Sequence, residues 1–285
     1  MIRQVTIIGT GLIGGSLALA LRKNGFDGRI VGCDTAPVLE RAKKMRVINA
    51  GAVGAQDSVM GSDAVVLASP VGPILDLIRT VGPGLGANCL LTDVGSTKAS
   101  VMKAAASVFG KNAGKRFLGG HPMAGKEASG IEGADAALFQ NATWFVTPFP
   151  GQNIATGRCG EWVRWIEKIG ARVAVTGANE HDRLCAWISH LPQMISTGLA
   201  AALVEEFGAE LPLLDAGGRA LREMTRISGS SYTMWRDIAL TNKKHLGHAL
   251  LQMEQRLAHI RENLETRELA EEFEIAHRLK KTKAH

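Results

Sequence analysis

Apolar and polar positions along the chain fall into two regimes. As far as Val175, short β-branched or apolar runs alternate with longer segments of helical period; beyond it only helical spacing remains. Residues 5–8, 29–33, 64–68 (AVVLA) and 89–93 (CLLTD) read as buried strands, and residues 12–23, 74–81 and 98–109 read as the helices between them. Further short strands are expected at 116–118, 143–147 and 172–175. This alternation predicts an α/β fold, a doubly wound and largely parallel sheet. The second regime predicts helices over 178–190, 192–207, 217–226 and 231–241, broken by Pro192, Pro212 and the SGSS turn at 228–231. From there Leu246, Leu250, Met253, Leu257, Ile260 and Leu264 recur at alternating steps of four and three, the seam of a helix packing lengthwise on another. A seam that long beside a small helical unit points to a homodimer through the C-terminal helices. Two domains are expected, residues 1–176 and 177–285.

Composition changes this picture little. A chain of 285 residues with 46% hydrophobic content can build two cores. Cys33, Cys89, Cys159 and Cys185 are far apart, with the spacing of neither a metal site nor a disulfide scaffold, so reduced thiols and no metal are expected. The opening residues lead straight into a strand, and no apolar run approaches the roughly 18 residues of a membrane span. A cytoplasmic protein is the expectation. Much of the net charge of +6 comes from the tail 277–285, HRLKKTKAH. No basic patch is interleaved with aromatics, which argues against nucleic acid; an anionic small substrate fits the charge equally well.

The chemistry begins at GTGLIGG, directly after the first strand. Gly9, Gly11 and Gly14 form G-x-G-x-x-G, and with Leu12 and Ile13 they place a helix N-terminus where a pyrophosphate can reach it. Asp34 ends the second strand, 20 residues after Gly14, where a carboxylate accepts from both ribose hydroxyls and repels a 2′-phosphate, favouring NAD over NADP. Ser69 and Pro70, then Ser96, follow the next two strands, and in such sheets ligands lie beyond the carboxyl ends of the strands. His121 stands in LGGHPMAGKEASG, residues 118–130, on what reads as a glycine- and proline-rich turn that aims its ring into a cleft as a general acid or base. Ser96 can cap the following helix and also face the nicotinamide. Arg41, Lys43 and Lys98 read as solvated helix charges, and Asp135 as a surface acid. Arg226, at a helix end before a Gly/Ser turn, is either a carboxylate grip or a cation favoured by the helix dipole. His190 reads as a helix-end histidine and Trp235 as a core residue.

With ASPV, DVGSTK, GGHPMAGKEASG, HLPQ, MTRIS and MWRDI following the glycine motif in this order, the sequence resembles the prephenate and arogenate dehydrogenase family from about Arg3 to Asn263. The resemblance implies an N-terminal Rossmann domain, a C-terminal helical dimerisation domain, NAD or NADP, and oxidative decarboxylation of a cyclohexadienyl substrate. It also implies roles: His121 as the catalytic histidine, Ser96 beside the reacting hydroxyl, Arg226 on a substrate carboxylate, Trp235 at the pocket and Glu127 gating or lining it. His190 matches the first histidine of the family's HLPH pattern, whereas Gln193 replaces the second, which leaves the choice between prephenate and arogenate open. Two rivals share the fingerprint: a 3-hydroxy acid dehydrogenase, which would use a lysine in the catalytic role, and a non-catalytic NAD-binding regulator.

Overall fold

The computed structural model describes residues 1–208 and 217–281 apart from Glu127 and Ser129; Pro212 and Glu127 thus lie outside the described residues. Its strands are β1 (Gln4–Ile8), β2 (Arg29–Cys33), β3 (Ala50–Ala52), β4 (Ala64–Leu67), β5 (Leu90–Asp93), β6 (Phe117–Pro122), β7 (Thr143–Thr147) and β8 (Arg172–Val175). They form one sheet in the order β3-β2-β1-β4-β5-β6-β7-β8. Every pairing is parallel except β6 with β7, where His121 stands opposite Phe145. The chain leaves β1 toward β2 and β3, then crosses back to β4 on the other side. That reversal opens a crevice at the carboxyl ends of β1 and β4.

Helices α1 (Leu12–Lys23), α2 (Ala36–Lys44), α3 (Ala55–Ser58), α4 (Val71–Val81), α5 (Ala99–Phe109), α6 (Ala113–Arg116) and α7 (Gly157–Lys168) fill the crossovers. Two apolar clusters result. Val5, Ile7, Leu17, Leu21, Trp144, Trp162 and Ile166 are buried together in one, with α1 and α7. Val65, Leu67, Ile74, Ile78, Leu91, Val101 and Phe117 are buried in the other, with α4 and α5. Both faces of the sheet are therefore covered, which is why its central strands read as mainly apolar runs instead of alternating ones.

Beyond β8 come α8 (Ala178–Cys185), a π-helical turn over Ala186–His190, α9 (Leu191–Phe207), α10 (Gly218–Thr225), α11 (Tyr232–Thr241), α12 (Lys243–Glu262) and α13 (Glu268–Lys281). Pro192 does not break the chain as expected: it sits in the first turn of α9, where its missing N–H costs little, and the π turn joins α8 to α9 directly. The expected seam also divides. Leu246 is buried, while Leu250 and Leu257 are exposed, and Leu264 falls past the end of α12. Among the described residues this half has one small apolar cluster, Ala186, Leu191 and Ala249, and also buries Cys185, Ile238 and Leu246. Trp187, Ile188, Leu240, Leu251 and Leu257 are large apolar side chains that stay exposed.

Two strand expectations needed correction. β3 was not foreseen, because Ala-Gly-Ala carries no β-branched residue. β6 extends through Gly119, Gly120 and His121 to Pro122, so His121 is a buried strand residue and not part of a turn. Glycines there let the strand lie close to its neighbours: a Cβ on Gly120 would meet the Asp93 carbonyl oxygen at 2.6 Å.

Candidate active site

The glycine loop has the geometry expected of a dinucleotide cradle. Gly9 takes a φ of +94°, and a Cβ on Gly14 would come within 1.9 Å of the Gly9 carbonyl oxygen, so the turn and the close approach of α1 to β1 both require glycine. Nothing lies within 4 Å of the space above Gly11, and no side chain caps α1. The helix therefore presents free N–H groups to an anion, Leu12 and Ile13 among them. Asp34 is tied to the same loop, accepting from the Thr10 N–H (2.7 Å) through Oδ2 and from the Thr35 N–H (2.8 Å) through Oδ1. Across the crevice the Ser69 hydroxyl, just before Pro70, is buried with no hydrogen-bond partner, an atom that a bound ligand would satisfy. These residues fit a nucleotide.

His121 lies two strands away at the same edge. Its Nδ1 is 2.9 Å from Nε2 of His181, whose own Nδ1 is 2.8 Å from Oδ1 of Asp182. Asp182 also caps α5, accepting the N–H of Lys98 at Oδ1 (2.6 Å) and that of Ala99 at Oδ2 (2.9 Å). Burial, followed by the neighbouring His181, Lys98 and His190, holds His121 well below the ordinary 6.5 of an imidazole, so it is neutral at pH 7. His181 is lowered as well, by burial, with its hydrogen bond to Asp182 acting in the opposite direction. The Cys185 thiol stands 3.4 Å from His181 Nε2, and burial pushes it up to about 12. His121 Nδ1, His181 Nε2 and Cys185 Sγ lie within 4.8 Å of one another, but the bond between the two imidazoles occupies the lone pair that a cation would need.

Lys98 also departs from expectation. It is fully buried and ion-paired with Asp93, also fully buried, and so is no solvated helix charge. Asp93 in turn accepts the N–H of Gly95 (2.8 Å) and of Gly120 (3.1 Å). One carboxylate thus ties the loop carrying half-buried Ser96 to the strand carrying His121. Arg41 is exposed as expected but pairs with Glu132 at 2.6 Å, and Asp135 pairs with Lys126 at 2.5 Å.

The helical half closes over this edge. Asp237 of α11 accepts the N–H of Gly72 in the first turn of α4 (3.0 Å), and the hydroxyls of Thr97 and Thr241 are 2.8 Å apart. Asn242 donates to the Asp182 carbonyl (2.7 Å) and lies 3.2 Å from Nδ1 of His190. His190 is completely buried, which pushes it down to about 4, and its ring meets half-buried Trp235 edge to face at 5.9 Å. A cavity of about 340 Å³ adjoins Trp235, lined also by Gln193, Ser230 and Tyr232. Gln193 is committed to structure: its amide donates to the Ile227 carbonyl (2.9 Å) and accepts from Ser230 (3.2 Å), pinning the turn after α10. Arg226 caps α10 beside that turn with its side chain exposed. The structure therefore gathers His121, His190, Trp235 and the Ser96 loop, and leaves Arg226 exposed at the end of α10.

His181, Asp182 and Asn242 were absent from the sequence reading. The one signal available was His181 and Cys185 at i and i+4 on a helix that is otherwise strongly charged, which says nothing of a partner 60 residues away.

A doubly wound sheet, a glycine cradle with an acid beyond it, and a neutral buried histidine at the same edge define a dinucleotide-dependent dehydrogenase. Two family models match the chain, "Prephenate dehydrogenase, nucleotide-binding domain" over residues 17–175 and "Prephenate dehydrogenase, dimerization domain" over residues 177–280. The chain belongs to the prephenate dehydrogenase family. It is 32% identical over 89% of its length to a prephenate dehydrogenase of Lactococcus lactis, the match covering 72% of that protein. It is 36% identical over 84% of its length to one of Bacillus subtilis, where the match spans 64% of the relative. Among solved structures it resembles prephenate dehydrogenase of Aquifex aeolicus in complex with hydroxyphenyl propionate and NAD+, with a TM-score of 0.84, 31% identity, and 99% and 96% of the two chains covered. The first family match begins at Leu17, after the glycine motif, so the cradle geometry is independent support for nucleotide binding.

Proposed function

We propose that this chain catalyses the NAD-dependent oxidative decarboxylation of prephenate to 4-hydroxyphenylpyruvate. It works as a cytoplasmic homodimer, with residues 1–176 binding the nucleotide and residues 177–285 completing the substrate site and the dimer. The observation that carries this reading is a buried imidazole, hydrogen-bonded to His181, at the strand edge that also holds the cradle. The exposed apolar side chains of the C-terminal helices, Leu250 and Leu257 among them, support the dimer. Among the described residues no helix is long and apolar enough to cross a membrane.

The substrate ring carries a hydroxyl opposite a quaternary carbon that bears a carboxylate. Hydride leaves the hydroxyl-bearing carbon, the electrons of the breaking carbon–carboxylate bond enter the ring, and carbon dioxide departs; aromatisation drives the change. Bound NAD supplies the hydride acceptor. His121 takes the hydroxyl proton at Nε2 as carbonyl character develops and returns it to the same oxygen as the ring becomes aromatic, and Ser96 orients that hydroxyl. Arg226 grips a carboxylate with its planar fork, reaching inward from the end of α10, while Trp235 and His190 line the ring site. Gln193 shapes the site by holding the turn next to Arg226.

The test is an absorbance assay crossing NAD and NADP with prephenate and arogenate. NADH formation with prephenate is the expected result; no turnover with any pair sinks the proposal. Arg226→Ala should raise KM for prephenate at least about tenfold with kcat little changed, the pattern of a lost charged hydrogen bond. An unaltered KM would return Arg226 to the surface. Asp34→Ser should narrow the discrimination against NADP by removing the carboxylate that repels a 2′-phosphate, and unaltered selectivity in kcat/KM would remove that role.

A further inference from the structure

The chain of groups behind His121 determines which of its nitrogens is basic. Both oxygens of Asp182 accept backbone N–H groups, from Lys98 and Ala99, so the carboxylate acts as an acceptor and the 2.8 Å contact at Oδ1 requires a proton on His181 Nδ1. A neutral His181 then has a bare Nε2. That lone pair faces His121 Nδ1 at 2.9 Å, so the shared hydrogen must belong to His121 Nδ1. The other nitrogen of His121, Nε2, is left with a free lone pair. Without this chain a neutral imidazole divides between two tautomers, and one of them carries a proton where the substrate's must go.

We propose that His181, held by Asp182, is a positioning residue that locks His121 in the Nδ1–H tautomer and so presents Nε2 as the base. This rests on the assignment of His121 as the proton acceptor. The device spans the domain boundary, because His121 rides on β6 and His181 and Asp182 on α8. Asp182 also caps α5 and its carbonyl accepts from Asn242, so docking of the helical half and the readiness of the base are one event. Cys185 beside the pair stays a neutral thiol and brings no competing charge. Both imidazoles lie out of water, which leaves the hydrogen bond between them without competition from solvent.

Two substitutions and one spectrum test this. His181→Phe fills the space but accepts nothing; kcat should fall several-fold, in proportion to the share of His121 that passes to the unproductive tautomer, while KM for prephenate stays unchanged. His181→Gln offers an amide oxygen to the same N–H and should recover most of that loss. Ring-nitrogen NMR of the full-length protein labelled with ¹⁵N-histidine should show His121 protonated at Nδ1 in the wild type and in the Gln variant, and a mixture in the Phe variant. Wild-type kcat in His181→Phe, a Gln variant as impaired as the Phe variant, or a proton on Nε2 of His121 in the wild type would each overturn the proposal. The spectrum reads the tautomer without turnover. A proton correctly placed on Nδ1 together with full activity in a His121 variant would therefore refute the base assignment alone.

Discussion

Replacing His121 with asparagine should lower kcat by about 10²-fold or more while KM for prephenate changes by no more than a few-fold, the usual scale for a lost general base. Asparagine fits the space and still donates and accepts hydrogen bonds, but it cannot hold a proton in the transition state. The wild-type pH profile should show the same group. His121 must be neutral to accept the proton, and burial lowers its pKa well below 6.5. Activity should therefore persist as pH falls through 6.5 and decline only at lower pH, when the imidazole protonates. In His121→Asn that acid limb should disappear. Near-normal turnover in the variant would remove the mechanism, whatever the family of the chain.

Lys98→Met should destabilise the protein by about 3–5 kcal/mol, because it leaves the Asp93 carboxylate buried without its cation. Methionine nearly matches the lysine stem in volume, so little of the loss would come from packing. Asp93 also accepts the N–H of Gly95 and Gly120, so a carboxylate seeking another partner would disturb the Ser96 loop and the His121 strand together. Unfolding in urea, followed by circular dichroism, would give the difference. Adding Asp93→Asn to Lys98→Met should recover part of it, since a neutral amide can donate as well as accept and carries no buried charge. A loss under about 1 kcal/mol would show that the pair is not isolated from solvent as the structure has it.

What could be seen in the sequence follows from the range of the interactions involved. The glycine motif and the strands flanking it were legible because Gly9 and Gly14 answer to backbone constraints within a few residues, and because β1, β4 and β5 are buried on both faces and mostly apolar. His121 was found through its neighbours, yet placed on a turn: Gly119 and Gly120 read as turn residues, and only the sheet shows that they allow close strand packing. Lys98 was misread for the same reason. Lysine on a helix is ordinarily solvated, and nothing in its local pattern shows that Asp93, five residues earlier, turns inward to meet it. His181 and Asp182 were invisible because their role depends on the docking of α8 against β6, a tertiary event with no periodicity of its own. The seam on α12 was correctly read as apolar, but spacing alone does not divide its residues between the chain's own core and a partner.

The measurement that bears most directly on the whole account is a crystal structure of the protein with NAD and 4-hydroxyphenylpyruvate. The account predicts the phenol oxygen within hydrogen-bonding distance of His121 Nε2, with His181 still on Nδ1 and the nicotinamide against the carbon that bears that oxygen. A phenol oxygen held by another group, with His121 remote from the ligand, would contradict it.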